Sequence, residues 1–320
     1  MPSFARARRR TRSERPSCTL GQVTLQAFRT PDDRFASLPD WPYEPHYVAD
    51  LPGYEGLRMH YIDEGPRDAP VFLCLHGEPT WAYLYRRMIP VFLEAGGRVV
   101  APDFFGFGRS DKPVEDDAYT WDFHRDALLG LVERLDLADI TLVVQDWGGL
   151  LGLTVPVDMP ERISGLLIMN TAFATGAEPT EGFVAWRDYV ANTPDLDVGR
   201  LMKRSCEHLT DEEAHAYSAP FPGPEHKAGV RTFPALVPTS PGMDGVATSK
   251  NAVRWWSAEF DGRSFMAIGE SDPVLASVMP QVHAAIRGCP EPLRLPEAGH
   301  FVQEWGEQVA RAALASWAGG

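Results

Sequence analysis

The chain has 320 residues, 44% of them hydrophobic and 23% charged, which are the proportions of a globular protein able to bury a sizeable core. Its 28 Gly and 28 Pro stay below a low-complexity composition, so collagen-like and disordered chains are excluded. Thirty basic against 44 acidic residues leave a net charge of -14, which repels phosphate backbones and anionic membrane surfaces and argues against nucleic-acid and membrane partners.

The first 15 residues break this average, with Arg6, Arg8, Arg9, Arg10, Arg12 and Arg15 against the single acid Glu14. No apolar stretch of the kind found in a secretory signal follows them, and residues 1 to 22 are expected to be a disordered extension. No run reaches the roughly 18 apolar residues of a membrane span. The cysteines Cys18, Cys74, Cys206 and Cys289 lie far apart without a CxxC pair, as expected for free thiols in the reducing cytoplasm.

From about residue 57 short apolar, β-rich runs alternate with segments of helical period, the pattern of a largely parallel α/β sheet. Strands are predicted at 57 to 63, 71 to 75, 98 to 102, 140 to 145, 165 to 169, 264 to 268 and 292 to 295. A helix is predicted over 120 to 135, where Phe123, Ala127, Leu128, Leu131, Val132 and Leu135 recur every three or four residues. Between 171 and 247 the alternation gives way to helical, Pro-rich text, including a capping box from Thr210 to Glu213. The expected organisation is therefore a core of residues 23 to 170 and 248 to 320, with 171 to 247 as a helical cap over the carboxyl edge of the sheet.

Chemistry concentrates in the loops after four strands. The run Val144, Gln145, Asp146, Trp147, Gly148, Gly149 reads as a strand, a sharp turn and a helix, with a carboxylate where hydrolases place Ser. The two glycines allow close helix packing, and the first N–H groups of the helix favour an anion. An Asp that merely caps a helix is the structural alternative at this point. His76, Gly77 and Glu78 follow the strand at 71 to 75, where His76 reads as a residue ordering the turn. Asp272 and His300 follow the last two strands, so nucleophile, acid and histidine come in the chain order of such enzymes.

With these pieces in register the chain resembles the α/β-hydrolase fold, and within it the haloalkane dehalogenases, over residues 28 to 318. The runs that carry the resemblance extend from His76 to Trp81 (HGEPTW), Asp103 to Pro113 (DFFGFGRSDKP), Val144 to Gly149 (VQDWGG) and Gly299 to Glu304 (GHFVQE). The resemblance implies hydrolysis of a halogenated alkane by water without cofactor or metal, and a monomer. It also implies Asp146 as nucleophile, Asp272 and His300 as its catalytic partners, and backbone N–H groups of Glu78 and Trp147 as an oxyanion hole. Trp147 and the cap residue Trp186, in the run GFVAW, match the halide-binding pair, and Phe183 is expected in the same pocket. Asp103 and Arg109 are expected to be loop scaffolding. The stretch between Met169 and Phe183 is short for the family pattern, which implies a different cap geometry.

Carbon–halogen chemistry explains an Asp at the elbow independently. Serine attacking an sp³ carbon would leave an ether, whereas aspartate leaves an ester that activated water can cleave. An epoxide hydrolase shares the Asp, His and Asp arrangement but offers cap tyrosines, for which Tyr189 and Tyr217 are the candidates here. A fluoroacetate dehalogenase would place Arg where this chain has Trp147, and a non-catalytic binding protein would have no need of the complete set.

Overall fold

The computed structural model describes residues 25–319. Its main sheet is built from β2 (His46–Val48), β3 (Met59–Glu64), β4 (Val71–Leu75), β5 (Arg98–Pro102), β7 (Ile140–Val144), β8 (Ile163–Met169), β9 (Arg263–Gly269) and β10 (Leu293–Leu295). The strand order is β10-β9-β8-β7-β4-β5-β3-β2, with β10 through β5 mutually parallel and β3 antiparallel to both of its neighbours. The runs VFLCL of β4 and ITLVV of β7 are buried at every position, as strands covered on both faces must be. A two-stranded ribbon pairs β1 (Ala27–Phe28) with β6 (Lys112–Pro113).

Helices α1 (Ile89–Glu94), α2 (Trp121–Arg134) and α3 (Asp146–Gly152) lie in the first half of the chain. Five helices, α4 (Glu181–Ala191), α5 (Val198–Ser205), α6 (Asp211–Ser218), α7 (Ala228–Leu236) and α8 (Val246–Ala258), intervene between β8 and β9. Helices α9 (Met279–Ala284) and α10 (Gly306–Ala318) follow β9 and β10. The predicted strands and the 120 to 135 helix agree with this assignment to within two residues, and the predicted capping box opens α6. Strand β2 and the β1/β6 ribbon escape sequence reading because two or three residues are too short to show alternation.

The connection from β4 leads to β5 on one side and that from β7 leads to β8 on the other, so the chain diverges at the carboxyl ends of the adjacent pair β4 and β7. Such a divergence opens a crevice at the strand ends. Register Leu75↔Val144 sets the two loops that leave these strands side by side.

One buried ion cluster ties the helical insertion to the rest. Arg86 makes a two-pronged contact with Glu304, at 2.7 and 2.8 Å, and reaches Glu213 of α6 at 2.9 Å. Tyr217 of α6 donates its hydroxyl to Glu304 and accepts from Arg86. Both the Arg86 and Glu304 side chains are fully buried, so each depends on the other for its charge compensation. Cys74, Cys206 and Cys289 are unpaired, while Cys18 and the Arg-rich start lie outside the described residues. Among the described residues no helix is long and apolar enough to cross a membrane.

The Arg86→Met variant leaves Glu304 buried without its main partner, so urea unfolding should show a loss of about 3–5 kcal/mol. A loss below about 1 kcal/mol would show that Arg87, 3.2 Å from Glu304, suffices as its counter-ion.

Candidate active site

Strand β7 runs straight into α3, and the turn between them is made by Asp146 itself at φ +50°. A side-chain-bearing residue in this left-handed region carries about 1–3 kcal/mol of strain, which its surroundings must offset. Asp146 N donates to Asn170 O at 2.9 Å, and Thr171 Oγ1 donates to Asp146 O at 2.7 Å, so the end of β8 clamps the turn. Gly148 lets α3 lie against the end of β4, where a Cβ would stand only 1.8 Å from Leu75 O.

This approach delivers the neighbouring loop to the carboxylate. Glu78 N donates to Asp146 Oδ1 at 2.8 Å, while Oδ2 faces His300 Nε2 at 3.6 Å. Trp147 N begins the same helix, but among the described residues it makes no hydrogen bond to the Asp146 carboxylate. On the far side of the ring, His300 Nδ1 lies 3.0 Å from Asp272 Oδ2. Burial disfavours charge on Asp272, but His300 and the donors Asn170 Nδ2 and Val274 N, each at 2.8 Å, outweigh it and hold this pKa below the usual carboxylate range. Asp272 is therefore ionised and can only accept, which assigns the Nδ1 proton to His300. Burial favours the neutral ring of His300, yet the charges of Asp272 and Asp146 outweigh it and raise the imidazolium pKa.

Asp146 and His300 open into a cavity of about 870 Å³ that Glu78, Trp147, Phe183 and Trp186 also line, with an otherwise largely apolar wall including Leu150, Pro234 and Val237. Asp272 stands behind His300 rather than in the wall. Of the nine tryptophans only Trp147 and Trp186 line this cavity. Trp81 and Trp256 spend their indole N–H groups on the carbonyls of Ala216 and Leu153. Trp186 donates to Glu78 Oε2 at 3.2 Å. Burial, reinforced by the adjacent Asp146 charge, pushes the Glu78 carboxyl well above its ordinary pKa, so this acceptor is neutral.

The seven residues assigned to the site from sequence, Glu78, Asp146, Trp147, Phe183, Trp186, Asp272 and His300, thus meet at one place. His76 bridges Gly77 O and Phe104 N, each at 2.9 Å, and orders its turn away from the cavity. Asp103 accepts from Ala82 N, Arg109 N and His60, the scaffolding expected of it. Two participants went unrecognised in sequence. Asn170, at the end of β8, links the elbow to Asp272, and Gln145 contacts His300; only adjacency to a strand end and to Asp146 marks them. Among the described residues no three His, Cys, Asp or Glu side chains converge as metal ligands.

The model of the alpha/beta hydrolase fold matches residues 70–307, and the sheet and elbow define the same class. A haloalkane dehalogenase of Psychrobacter cryohalolentis is 41% identical over 90% of this chain and 96% of its own length. One from Mycobacterium tuberculosis is 42% identical over 92% of this chain and 99% of its own. Among solved structures, the haloalkane dehalogenase of Paraglaciecola agarilytica, described as tetrameric, superposes with a TM-score of 0.90 at 52% identity, covering 91% of this chain and 99% of that one. The chain belongs to the haloalkane dehalogenase family.

Because a Cβ at residue 148 would collide with main chain rather than with a mobile side chain, Gly148→Ala should lose at least about 3 kcal/mol of stability or fail to fold. Thermal unfolding within about a degree of wild type would refute this close approach.

Proposed function

We propose that the protein hydrolyses terminal haloalkanes to an alcohol and halide through an ester on Asp146. The observation that carries this reading is the carboxylate with one oxygen fixed by Glu78 N and the other free toward His300, inside a cavity whose only indoles are Trp147 and Trp186. In the first step Asp146 Oδ2 attacks the carbon from behind and the carbon–halogen bond breaks, its electron pair leaving with the halide. In the second, water adds to the ester carbon and passes one proton to His300 Nε2; collapse then releases the alcohol with that proton and leaves Asp146 as a carboxylic acid, whose remaining proton passes to solvent to restore the carboxylate.

Esterification itself prepares the second step. It removes the Asp146 charge, one of the two that favour the imidazolium, and so makes His300 a ready base at the moment water must be activated. Asp272 steadies the ring through Nδ1. The departing halide is received by the indole N–H groups of Trp147 and Trp186, with Phe183 shaping the wall. Trp186 is held at rest by a neutral Glu78, and a full anion is the stronger acceptor. Glu78 N and Trp147 N form the oxyanion hole for the tetrahedral intermediate.

An epoxide hydrolase needs tyrosines facing its substrate, and among the described residues no tyrosine lines the cavity. Tyr217 is committed to Glu304, and Tyr189 lies 40% exposed beside Trp186. Residues 171 to 247 act as the cap, carrying Trp186 and Phe183, over a core of 23 to 170 and 248 to 320. The enzyme acts in the cytoplasm as a monomer, and light scattering should find a mass near 35.5 kDa; a fourfold mass would instead match the tetrameric description of the Paraglaciecola relative.

His300→Gln should still be alkylated but not hydrolysed. After exposure to 1,2-dibromoethane, intact mass spectrometry should show one added bromoethyl group mapping to the Asp146 peptide, and an unmodified variant would contradict the two-step scheme. Trp186→Phe removes one donor to the developing anion and should raise the barrier to carbon–halogen cleavage by about 2–4 kcal/mol. Rapid-quench rates equal to wild type would place the second donor elsewhere.

A further inference from the structure

Gln145, fully buried at the last position before the elbow, holds its side-chain amide against His300 at two points. One amide atom lies 3.0 Å from His300 Nε2 and 3.1 Å from His300 O. The second contact settles which end of the amide this is. A main-chain carbonyl only accepts, so the atom facing it must be the NH2 nitrogen, since an amide oxygen there would oppose another oxygen. The other end agrees, because Gln145 Oε1 takes a long 3.4 Å contact from Gln303 Nε2, which also reaches Tyr85 Oη at 3.4 Å. The nitrogen therefore presents a hydrogen to Nε2, and that contact is attractive only while Nε2 carries no proton.

We infer that Gln145 is a positioning residue for the hydrolytic step: its amide donates to His300 Nε2, opposes a proton there, and keeps the ring able to take one from water once Asp146 has become a neutral ester. The inference rests on the two-step reading above. The charged or titratable groups facing the ring are Asp272 from the loop after β9, Asp146 from the elbow and Glu78 from the loop after β4. With Glu78 neutral and Asp146 esterified, only Asp272 still favours the imidazolium, and Gln145 acts directly against it. When water gives its proton to Nε2, the amide hydrogen then faces a donor, so the imidazolium is disfavoured and returns the proton as the alcohol leaves. Gln145 thus helps reset the base.

Gln145→Met keeps the length of the side chain and removes the N–H groups. Histidine-selective ¹⁵N NMR of the full chain, with His300 assigned by comparison with His300→Gln, should show His300 titrating about one pH unit higher in Gln145→Met than in wild type. In single-turnover experiments the acid limb of alkyl-enzyme hydrolysis should move upward by the same amount, while alkyl-enzyme formation stays within about twofold. Coincident titrations, or a variant that titrates lower, would overturn the inference. Absence of an alkyl-enzyme would refute the proposed reaction instead, and the NMR titration would still decide the role of Gln145.

Discussion

The contact between the first turn of α3 and the carboxyl end of β4 governs everything at the site. Gly148 permits it, and the register of β4 against β7 aims it, so the left-handed Asp146 meets the loop whose Glu78 N–H binds one carboxylate oxygen. Fixing Oδ1 leaves Oδ2 open toward His300. A helix even slightly further from the strand would lose the Glu78 bond, and the strained turn would lose what offsets it. Rigid main-chain packing, rather than side-chain flexibility, thus sets the direction in which Oδ2 points, which suits the proposed displacement because such a step tolerates little misalignment.

Charge is distributed unequally among the three carboxyls of the site. Asp272 is kept ionised by three polar partners, Glu78 is kept neutral by burial and by its neighbour, and Asp146 keeps one oxygen open to the cavity. In the proposed function, the neutral Glu78 gives Trp186 an acceptor that a halide would displace, which an ionised carboxylate so close to Asp146 would resist. His300 sits between the ionised Asp272 and Asp146, so its protonation follows the charge on Asp146, which in the proposed function couples the base to progress of the reaction.

Much of this was legible in the residues. The apolar runs VFLCL and ITLVV, the glycines after Asp146 and the Asp and His following late strands located the sheet and the elbow and picked out Asp146, Asp272 and His300, which the fold brings together. What stayed hidden is long-range and polar. Asn170 and Gln145 act through contacts with residues 102 and 155 positions away, for which no periodicity or spacing exists. Glu78 was legible only as a backbone donor, because the neutrality of its carboxyl depends on burial. The short strand β2 and the β1/β6 ribbon hold too few residues for an alternation to register.

The site is shared between two parts of the chain that the ion cluster around Arg86 holds in relation. Glu78 and Asp146 belong to the sheet loops, whereas Trp186 belongs to α4, and their only direct polar link is the 3.2 Å hydrogen bond from Trp186 to Glu78. Under the proposed function a halide would take the indole and release that link, so the anchorage of the insertion must lie elsewhere. Arg86 follows the turn at 82 to 85 just beyond the Glu78 loop, and it grips α6 through Glu213 and Tyr217 and the turn at 302 to 305 just before α10 through Glu304. Since none of these groups lines the cavity, the insertion stays anchored whether or not the indole is engaged. Separating anchorage from the cavity in this way leaves the hydrogen bond from Trp186 to Glu78 free to exchange, as the proposed halide binding requires.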